Sequence, residues 1–293
     1  MLKTTVRFLA LLGCSALLAA PAQAQAPAPE QGAPPALLQI EREEVRPGKG
    51  AAHAINEAAW AGAYAKAQSP VYWLGMTSMT GPSEAWFLTR HDSYAAFEKS
   101  DASTDGNAAL RAERDKLSAI DGDLLTRTST ILASYRPALS YQPVVALPNM
   151  RYMTINLMRV KPGHVAEFND AWRMIVEAHK KANMDEHWAV FQVDSGMPDT
   201  TFLFMYAHKS LAEVDAAGPM HTAVGYRDGV GDGGRRQMNE VNRSGLEMTQ
   251  TMHFRLRPGM STLSKEWAEH DTFWARPAAP EAAAVAATKK KGQ

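Results

Sequence analysis

The chain carries one sequence pattern twice. Val45-Arg-Pro-Gly48 opens the first copy, and Val160-Lys-Pro-Gly163 opens the second. Matched residues follow at the same spacing, namely Trp73 with Trp188, Gly81 with Gly196, and Phe87-Leu88 with Phe202-Leu203. After a slip of two residues, His91-Asp-Ser aligns with His208-Lys-Ser. Because a duplicated unit folds the same way twice, the chain must have an architecture of two similar halves.

Hydrophobic periodicity predicts the same order of elements in both copies, which is strand, helix, strand, strand, helix, strand. The first copy has Leu37–Val45, Gly48–Ala67, Val71–Met79, Glu84–Arg90, Ser93 to about Ile120, and Thr126–Tyr135. The second has Tyr152–Val160, His164–Ala182, His187–Val193, Thr201–Tyr206, a helical region from Ser210, and Leu246–Leu256. This order is typical of the ferredoxin-like βαββαβ unit, an antiparallel sheet with both helices on one face.

One predicted strand, Thr201–Tyr206, carries apolar residues on both faces. Such a strand lies between two layers, and the helices can cover only one of its faces. The sheet of the other copy can cover the second face. The sequence therefore predicts an α+β fold in which two tandem ferredoxin-like βαββαβ repeats form one intramolecular α+β barrel.

The N-terminus has the layout of a secretory signal peptide over residues 1–24. Lys3 and Arg7 precede the apolar stretch Phe8–Ala20, and Ala22-Gln23-Ala24 is a small-x-small cleavage site. We therefore expect a periplasmic or secreted protein. Cys14, the only cysteine, stands in a loose lipobox match, but the apolar run continues past it, which favours export without a lipid anchor.

The remaining boundaries follow from composition. We expect a disordered linker at 25–36, repeat 1 at 37–137, a linker at 138–150, repeat 2 at 151–258, a C-terminal helix at 259–276 and a disordered tail at 277–293. The glycine-rich stretch Gly218–Gly234 predicts a mobile surface loop inside the second copy.

Charge and motifs exclude several functions. Lys+Arg and Asp+Glu both number 31, so the basic surface expected of a nucleic-acid-binding protein is lacking. The N-terminal apolar stretch is shorter than the roughly 20 residues of a membrane-spanning helix. The sequence contains no zinc-protease, nucleotide-binding or nucleophile-elbow motif, and we predict no metal and no cofactor. It leaves the oligomeric state open.

Two histidines, His91 and His208, stand at matching positions where a strand ends, and either could transfer a proton. The alternative is local, because Ser93 and Ser210 would cap the following helices and leave the histidines as junction residues.

Positions that differ between the copies are further candidates for a ligand pocket. His179 lies on the apolar stripe of its helix where the first copy has Tyr64; it is either a pocket residue or a core residue bonded to a carbonyl. The other candidates are His187, the paired Trp73 and Trp188, and the mid-strand polar pair Glu41 and Asn156.

The element order, the Val-basic-Pro-Gly turn and the His-x-Ser junction resemble the dimeric α+β barrel superfamily. This superfamily includes antibiotic-biosynthesis-type monooxygenases, NIPSNAP-like proteins, haem-degrading monooxygenases and muconolactone isomerase. In the haem-degrading members an Asn, a Trp and a His line the pocket, and the resemblance would give these places to Asn156, Trp188, and His208 or His179. The spacing here departs from the order in that family.

Two functions follow as expectations. The first is binding of a small apolar or aromatic molecule between sheet and helices. The second is a cofactor-light monooxygenase or isomerase that uses His179, His208 or His91 as its acid or base. Because the two copies differ at Tyr64/His179 and Glu41/Asn156, we expect the pocket in the second copy.

Overall fold

Eight strands form one closed antiparallel barrel in the computed structural model. The structure describes residues 34–198, 200–217 and 224–275, and for residues 217 and 224–228 it describes the backbone only. The strands are β1 Leu37–Val45, β2 Trp73–Ser78, β3 Glu84–His91, β4 Leu125–Tyr135, β5 Tyr152–Val160, β6 Ala189–Ser195, β7 Thr201–His208 and β8 Leu246–Leu256. Around the barrel their order is β1-β3-β2-β8-β5-β7-β6-β4, and β4 pairs with β1 to close it. The predicted α+β barrel within one chain is confirmed.

Each half of the barrel has the same internal strand order, β4-β1-β3-β2 in one and β8-β5-β7-β6 in the other. Pairing of β2 with β8 and of β4 with β6 joins the halves. The register shifts at Glu44/Val45 in the first half and at Arg159/Val160 in the second. Positions that match along the sequence therefore also match in the sheet.

Alternation along the strands separates an inner from an outer face. On β7, Leu203, Met205 and Ala207 belong to the barrel interior, whereas Phe202 and Phe204 pack outward. Large side chains such as Trp86 and Phe254 fill the interior and leave a cavity of only about 100 Å³ at one end. The two larger pockets described below lie on the outer face.

Helices cover the outer face of each half. The first half has α1 Gly50–Lys66, α2 Tyr94–Gly106 and α3 Ala108–Leu124. The single long helix predicted from Ser93 to Ile120 is wrong, because Asn107 has extended backbone angles and its side chain caps α3 by accepting a hydrogen bond from Leu110 N. The second half has α4 Val165–Ala182, α5 Leu211–Ala217 and α6 Val224–Glu240.

The prediction of a mobile loop over Gly218–Gly234 is wrong for its described part, which belongs to α6. Glycine here serves close helix packing. A Cβ on Gly229 would lie 3.0 Å from the Cβ of Ala178 on α4, and one on Gly234 would lie 2.8 Å from the sulfur of Met174. Gly231, at φ +66°, interrupts the helix.

After β8 the chain packs into the barrel core. The short helix α7 Lys265–His270 carries Trp267, and a 3₁₀ turn carries Trp274; both indoles are buried with the interior residues. The indole N–H of Trp274 donates to Pro148 O at 2.6 Å, which ties this segment to the stretch between the halves. Residues 1–33, including the predicted signal peptide and Cys14, and residues 276–293 lie outside the described residues.

Within the described part of the chain, none of the helices has the length and apolar character needed to cross a bilayer.

Candidate functional site

A cleft of about 850 Å³ lies on the outer face of the second half. Its floor is formed by β5 and β7, and its walls by residues 145–150, by the turn after α4 and by α5. We call it the second-half cleft. Its lining mixes apolar side chains such as Met150, Met184 and Val214 with polar and charged ones. A mixed lining of this size suits a small organic molecule with both apolar and polar parts.

The polar groups of the cleft floor lie on one face of the sheet because alternate residues of a strand point to the same side. Thr154 and Asn156 on β5 face outward together with Tyr206 and His208 on β7. Thr154 pairs with Tyr206 in the sheet register and Asn156 with Phe204, so that the four polar side chains lie side by side.

Two of these polar groups are buried without a partner. Neither Asn156 Oδ1 nor the Tyr206 hydroxyl has a hydrogen-bond partner among the described residues. Burial raises the pKa of Tyr206 above its usual range, the nearby Glu186 adds to this shift, and the adjacent Asn156 side chain opposes it, so the hydroxyl keeps its proton. Both residues line the cleft, and their oxygens lie just beneath its surface, so a small side-chain movement would offer a ligand one acceptor from Asn156 and one hydroxyl that can donate or accept.

His208 belongs to a short polar chain. Thr154 Oγ1 lies 3.0 Å from His208 Nε2 and 3.0 Å from His253 Nδ1. Burial lowers the pKa of His208, and the neighbouring His187 and His253 lower it further, while Glu213 opposes them. His208 is thus held neutral at physiological pH, the form that can accept a proton.

His179 does not reach the cleft. Its ring is fully buried, with Nδ1 2.8 Å from Ile175 O and Nε2 2.8 Å from Glu186 Oε2. Of this pair only Glu186 lines the cleft. His179 is therefore a hydrogen-bonded core residue. This is the second of the two alternatives that the sequence left open, a pocket residue or a core residue bonded to a carbonyl.

His187 and Trp188 are neighbours with different surroundings. His187 lines the cleft, and its Nε2 lies 2.7 Å from Ala207 O. Trp188 is 1% exposed, and its indole N–H donates to Leu139 O at 2.8 Å, away from the cleft. Asn156, Trp188 and His208 therefore do not line one pocket, and these residues do not fit the haem-lining arrangement that the resemblance suggested.

The remaining predicted pocket residues gather in the first half. Glu41, Tyr64 and Trp73 line a pocket of about 370 Å³ between the outer face of β1–β3 and helices α1–α3, here called the first-half pocket. Tyr64 and Trp73 meet edge to face with their centroids 4.9 Å apart. Burial raises the pKa of Glu41, a hydrogen bond from Thr130 opposes this shift, and the charge of Glu43 adds to it.

His91 lines neither pocket. Its Nε2 lies 3.0 Å from Gln39 Oε1, and its ring packs edge to face against Phe97. Burial lowers its pKa, and the charge of Asp92 opposes the shift. Ser93 caps α2 by accepting a hydrogen bond from Ala96 N at 3.1 Å, as the local alternative predicts.

Several site residues escaped sequence reasoning. Tyr206 stands two residues before His208, and the period of a strand could have placed both on one face. In the first half, His53 and Glu57 are four residues apart, a spacing that places two residues on the same face of a helix. Nothing in the sequence shows that Glu43 lies opposite them.

No family model matches the chain, and no curated protein matches its sequence significantly. Among solved structures it is similar to a "putative monooxygenase" from Fusobacterium nucleatum, with a TM-score of 0.51 and 11% identity over 75% of this chain and 91% of that one. It also matches a "putative monooxygenase" from Lactobacillus acidophilus, with a TM-score of 0.48 and 8% identity over 78% and 95% of the two chains. A mutant chlorite dismutase from Candidatus Nitrospira defluvii matches with a TM-score of 0.44 and 8% identity, over 80% of this chain and 95% of that one. At such identities the first likeness concerns the barrel fold alone.

Proposed function

We propose that the second-half cleft binds a small aromatic molecule that carries a hydroxyl or carbonyl group. The observation that carries this proposal is the pair of buried, unpartnered groups Asn156 Oδ1 and Tyr206 OH, on two residues that line a cleft of about 850 Å³. A polar group left unpaired in a protein interior costs about 1–3 kcal/mol, which a ligand hydrogen bond can recover. The apolar part of the ligand would contact Met150, Met184 and Val214.

Binding of 1-naphthol, followed by calorimetry, tests this proposal. We expect Asn156→Leu to weaken binding about tenfold, because it removes the acceptor and keeps the branching of the side chain at Cγ. The matched control is Glu41→Leu, the corresponding position in the first half, which should leave the affinity unchanged. Equal affinities for wild type and both variants would place 1-naphthol elsewhere and refute the proposal.

A second candidate function is proton abstraction by His208, favoured by its lowered pKa and its place in the cleft floor. Neutral imidazole beside a bound ketone can accept a proton from the carbon next to the carbonyl, a step expected of isomerases and of cofactor-light monooxygenases. The neighbouring Tyr206 hydroxyl could donate a hydrogen bond to the developing enolate oxygen.

Hydrogen–deuterium exchange at C2 of 1-tetralone in D₂O, read by NMR, tests this candidate. Wild type should accelerate the exchange over buffer, His208→Gln should abolish the acceleration, and His91→Gln should retain it. Ligand binding without any acceleration would leave the protein as a binding protein only.

We also infer that the two halves are tandem copies of one ferredoxin-like unit of the monooxygenase-like and NIPSNAP-like kind. The matched sequence spacing and the matched register shifts at Val45 and Val160 support this inference. When residues 34–137 and 138–275 are produced as separate chains, we expect them to co-purify one to one. Failure of the halves to associate would count against two copies of one unit that together complete the barrel.

We propose further that the protein is exported after cleavage at Ala24, on the layout of Lys3, Arg7 and Phe8–Ala20. Intact-mass analysis of the protein from cell fractions would show a mature chain that starts at Gln25 in the exported fraction. A full-length chain confined to the cytoplasm, or a lipidated Cys14, would contradict this proposal.

A further inference from the structure

Three side chains in the first half direct metal-ligating atoms at one point. Glu43 lies on β1, and His53 and Glu57 lie one turn apart on α1. His53 Nε2 is 2.7 Å from Glu43 Oε2 and 3.6 Å from Glu57 Oε1, and all three ligand atoms lie within 4.8 Å of one another. All three residues are buried.

Glu57 gives an independent sign that something is missing from this cluster. The residue is 4% exposed, yet its Oε1 has no hydrogen-bond partner in the described chain. Isolated buried carboxylates are costly unless a cation compensates them.

The described cations nearby are otherwise engaged. Arg114 lines the first-half pocket but is paired with Asp105 at 2.8 Å. Asp121 already accepts hydrogen bonds from Asn56 and Trp60. The imidazole of His53 stands among these carboxylates, and its Nε2 is 2.7 Å from Glu43 Oε2 and 3.6 Å from Glu57 Oε1.

The second half shows that the fold does not need this polar cluster. At the same sequence spacing, Glu43, His53 and Glu57 correspond to Met158, Phe168 and Trp172. There the rings pack against the sheet, with centroids 4.7 Å apart for Phe168 and Phe202 and 4.2 Å apart for Trp172 and Phe204. The first half therefore has buried acids where the second half has apolar core, which points to a role beyond packing.

We propose that Glu43, His53 and Glu57 bind a divalent first-row transition cation of the Zn²⁺ or Mn²⁺ kind. With metal–ligand bonds of about 2.0–2.2 Å, neighbouring ligands of a tetrahedral or octahedral ion lie about 2.8–3.6 Å apart. The cluster needs only small side-chain shifts to reach this geometry. An imidazole among carboxylates favours such an ion over Ca²⁺ or Mg²⁺, which prefer oxygen ligands alone.

The ion would have an open coordination position. Glu43 and Glu57 both line the first-half pocket of about 370 Å³, which could admit water or a small ligand beside the ion. Three protein ligands with a free position distinguish reactive metal sites from structural ones, which are fully enclosed by protein ligands.

Calorimetric titration of the untagged protein with Zn²⁺ and Mn²⁺, after treatment with a chelator, tests the site. We expect one ion per chain, with Mg²⁺ bound at least about tenfold more weakly. His53→Gln and Glu57→Gln should each weaken binding by at least about tenfold, the loss typical even of residues that only support a metal ligand. The metal should also raise the melting temperature of wild type by more than that of Glu57→Gln.

An exposed pair serves as the matched control. His164 Nδ1 lies 2.7 Å from Glu167 Oε2 on the surface of the second half, and Glu167→Gln should leave the affinity unchanged. Because glutamine keeps the shape of glutamate, metal-free Glu57→Gln should melt at or above the wild-type temperature, which separates metal binding from folding. No stoichiometric binding of either ion, or unchanged affinity in both site variants, would overturn the proposal. Binding of 1-naphthol in the second-half cleft does not depend on this result.

Discussion

Asn156 on β5 and Tyr206 on β7 are diagonal neighbours on the outer face of the barrel, and both residues line the same cleft. The register pairs Asn156 with Phe204, two residues from Tyr206. Neither oxygen is hydrogen-bonded within the described structure. Together they form a preorganised polar pair beside an apolar surface, the arrangement that fixes the orientation of a small ligand.

The neutral state of His208 predicts a pH dependence of stability. Its folded pKa lies below its ordinary value of 6.5, so the unfolded chain binds more protons at this site between the two pKa values. The contribution is therefore fully present above about pH 6.5 and is lost as the pH falls through the folded pKa. Urea unfolding at several pH values between 7.5 and 5 should show a weaker dependence for His208→Gln than for wild type.

The exposed Thr249 on β8 provides the control for this measurement, because Thr249→Ala adds or removes no titratable group and should keep the wild-type pH dependence. If His208→Gln and wild type lose stability in parallel as the pH falls, then His208 does not titrate below its ordinary value in the folded state.

His179 should behave as a core residue. His179→Leu removes the bond to Ile175 O and leaves the Glu186 carboxylate without its imidazole partner, which should cost about 1–3 kcal/mol of unfolding free energy. The affinity for 1-naphthol should stay within about threefold of wild type, which is less than one hydrogen bond is worth. A stable variant that has lost binding would instead make His179 part of the site.

Two glycines should respond to alanine in opposite directions. A Cβ on Gly75 would lie 2.6 Å from the backbone oxygen of Met260, so Gly75→Ala should destabilise the barrel by about 1–3 kcal/mol. A Cβ on Gly62 in α1 would meet nothing within 4 Å, so Gly62→Ala should stabilise by about 0.5–1 kcal/mol. Urea midpoints measure both effects. No loss in Gly75→Ala would mean that the segment after β8 is not packed against β2 as described.

The sequence predicted the strands well because their signal is local. The predicted bounds of Leu37–Val45, Tyr152–Val160 and Leu246–Leu256 are those observed. The strand Thr201–Tyr206, apolar on both faces, correctly required a second layer, which is the barrel interior. The helix α6 could not be predicted in this way, because its glycines are explained by contacts with Met174 and Ala178 that only the tertiary structure supplies.

The candidate site could be predicted only in part. The sequence singled out Asn156 and His208 as candidates, but Tyr206 looked like one more apolar residue of a buried strand. His179 looked like a pocket residue because nothing in the sequence shows that Glu186 lies beside its ring. The cluster of Glu43, His53 and Glu57 joins a strand to a helix, a relationship that sequence spacing does not contain.

The most direct test of the cleft compares 1-naphthol with naphthalene in wild type and in Tyr206→Phe. Wild type should bind 1-naphthol about 3–10-fold more tightly than naphthalene, the difference that one net hydrogen bond of about 0.5–1.5 kcal/mol supplies. In Tyr206→Phe this preference should shrink at least threefold, while the affinity for naphthalene and the urea midpoint stay unchanged. A preference for 1-naphthol that is the same in wild type and variant would contradict the claim that Tyr206 and Asn156 form the polar end of a ligand site.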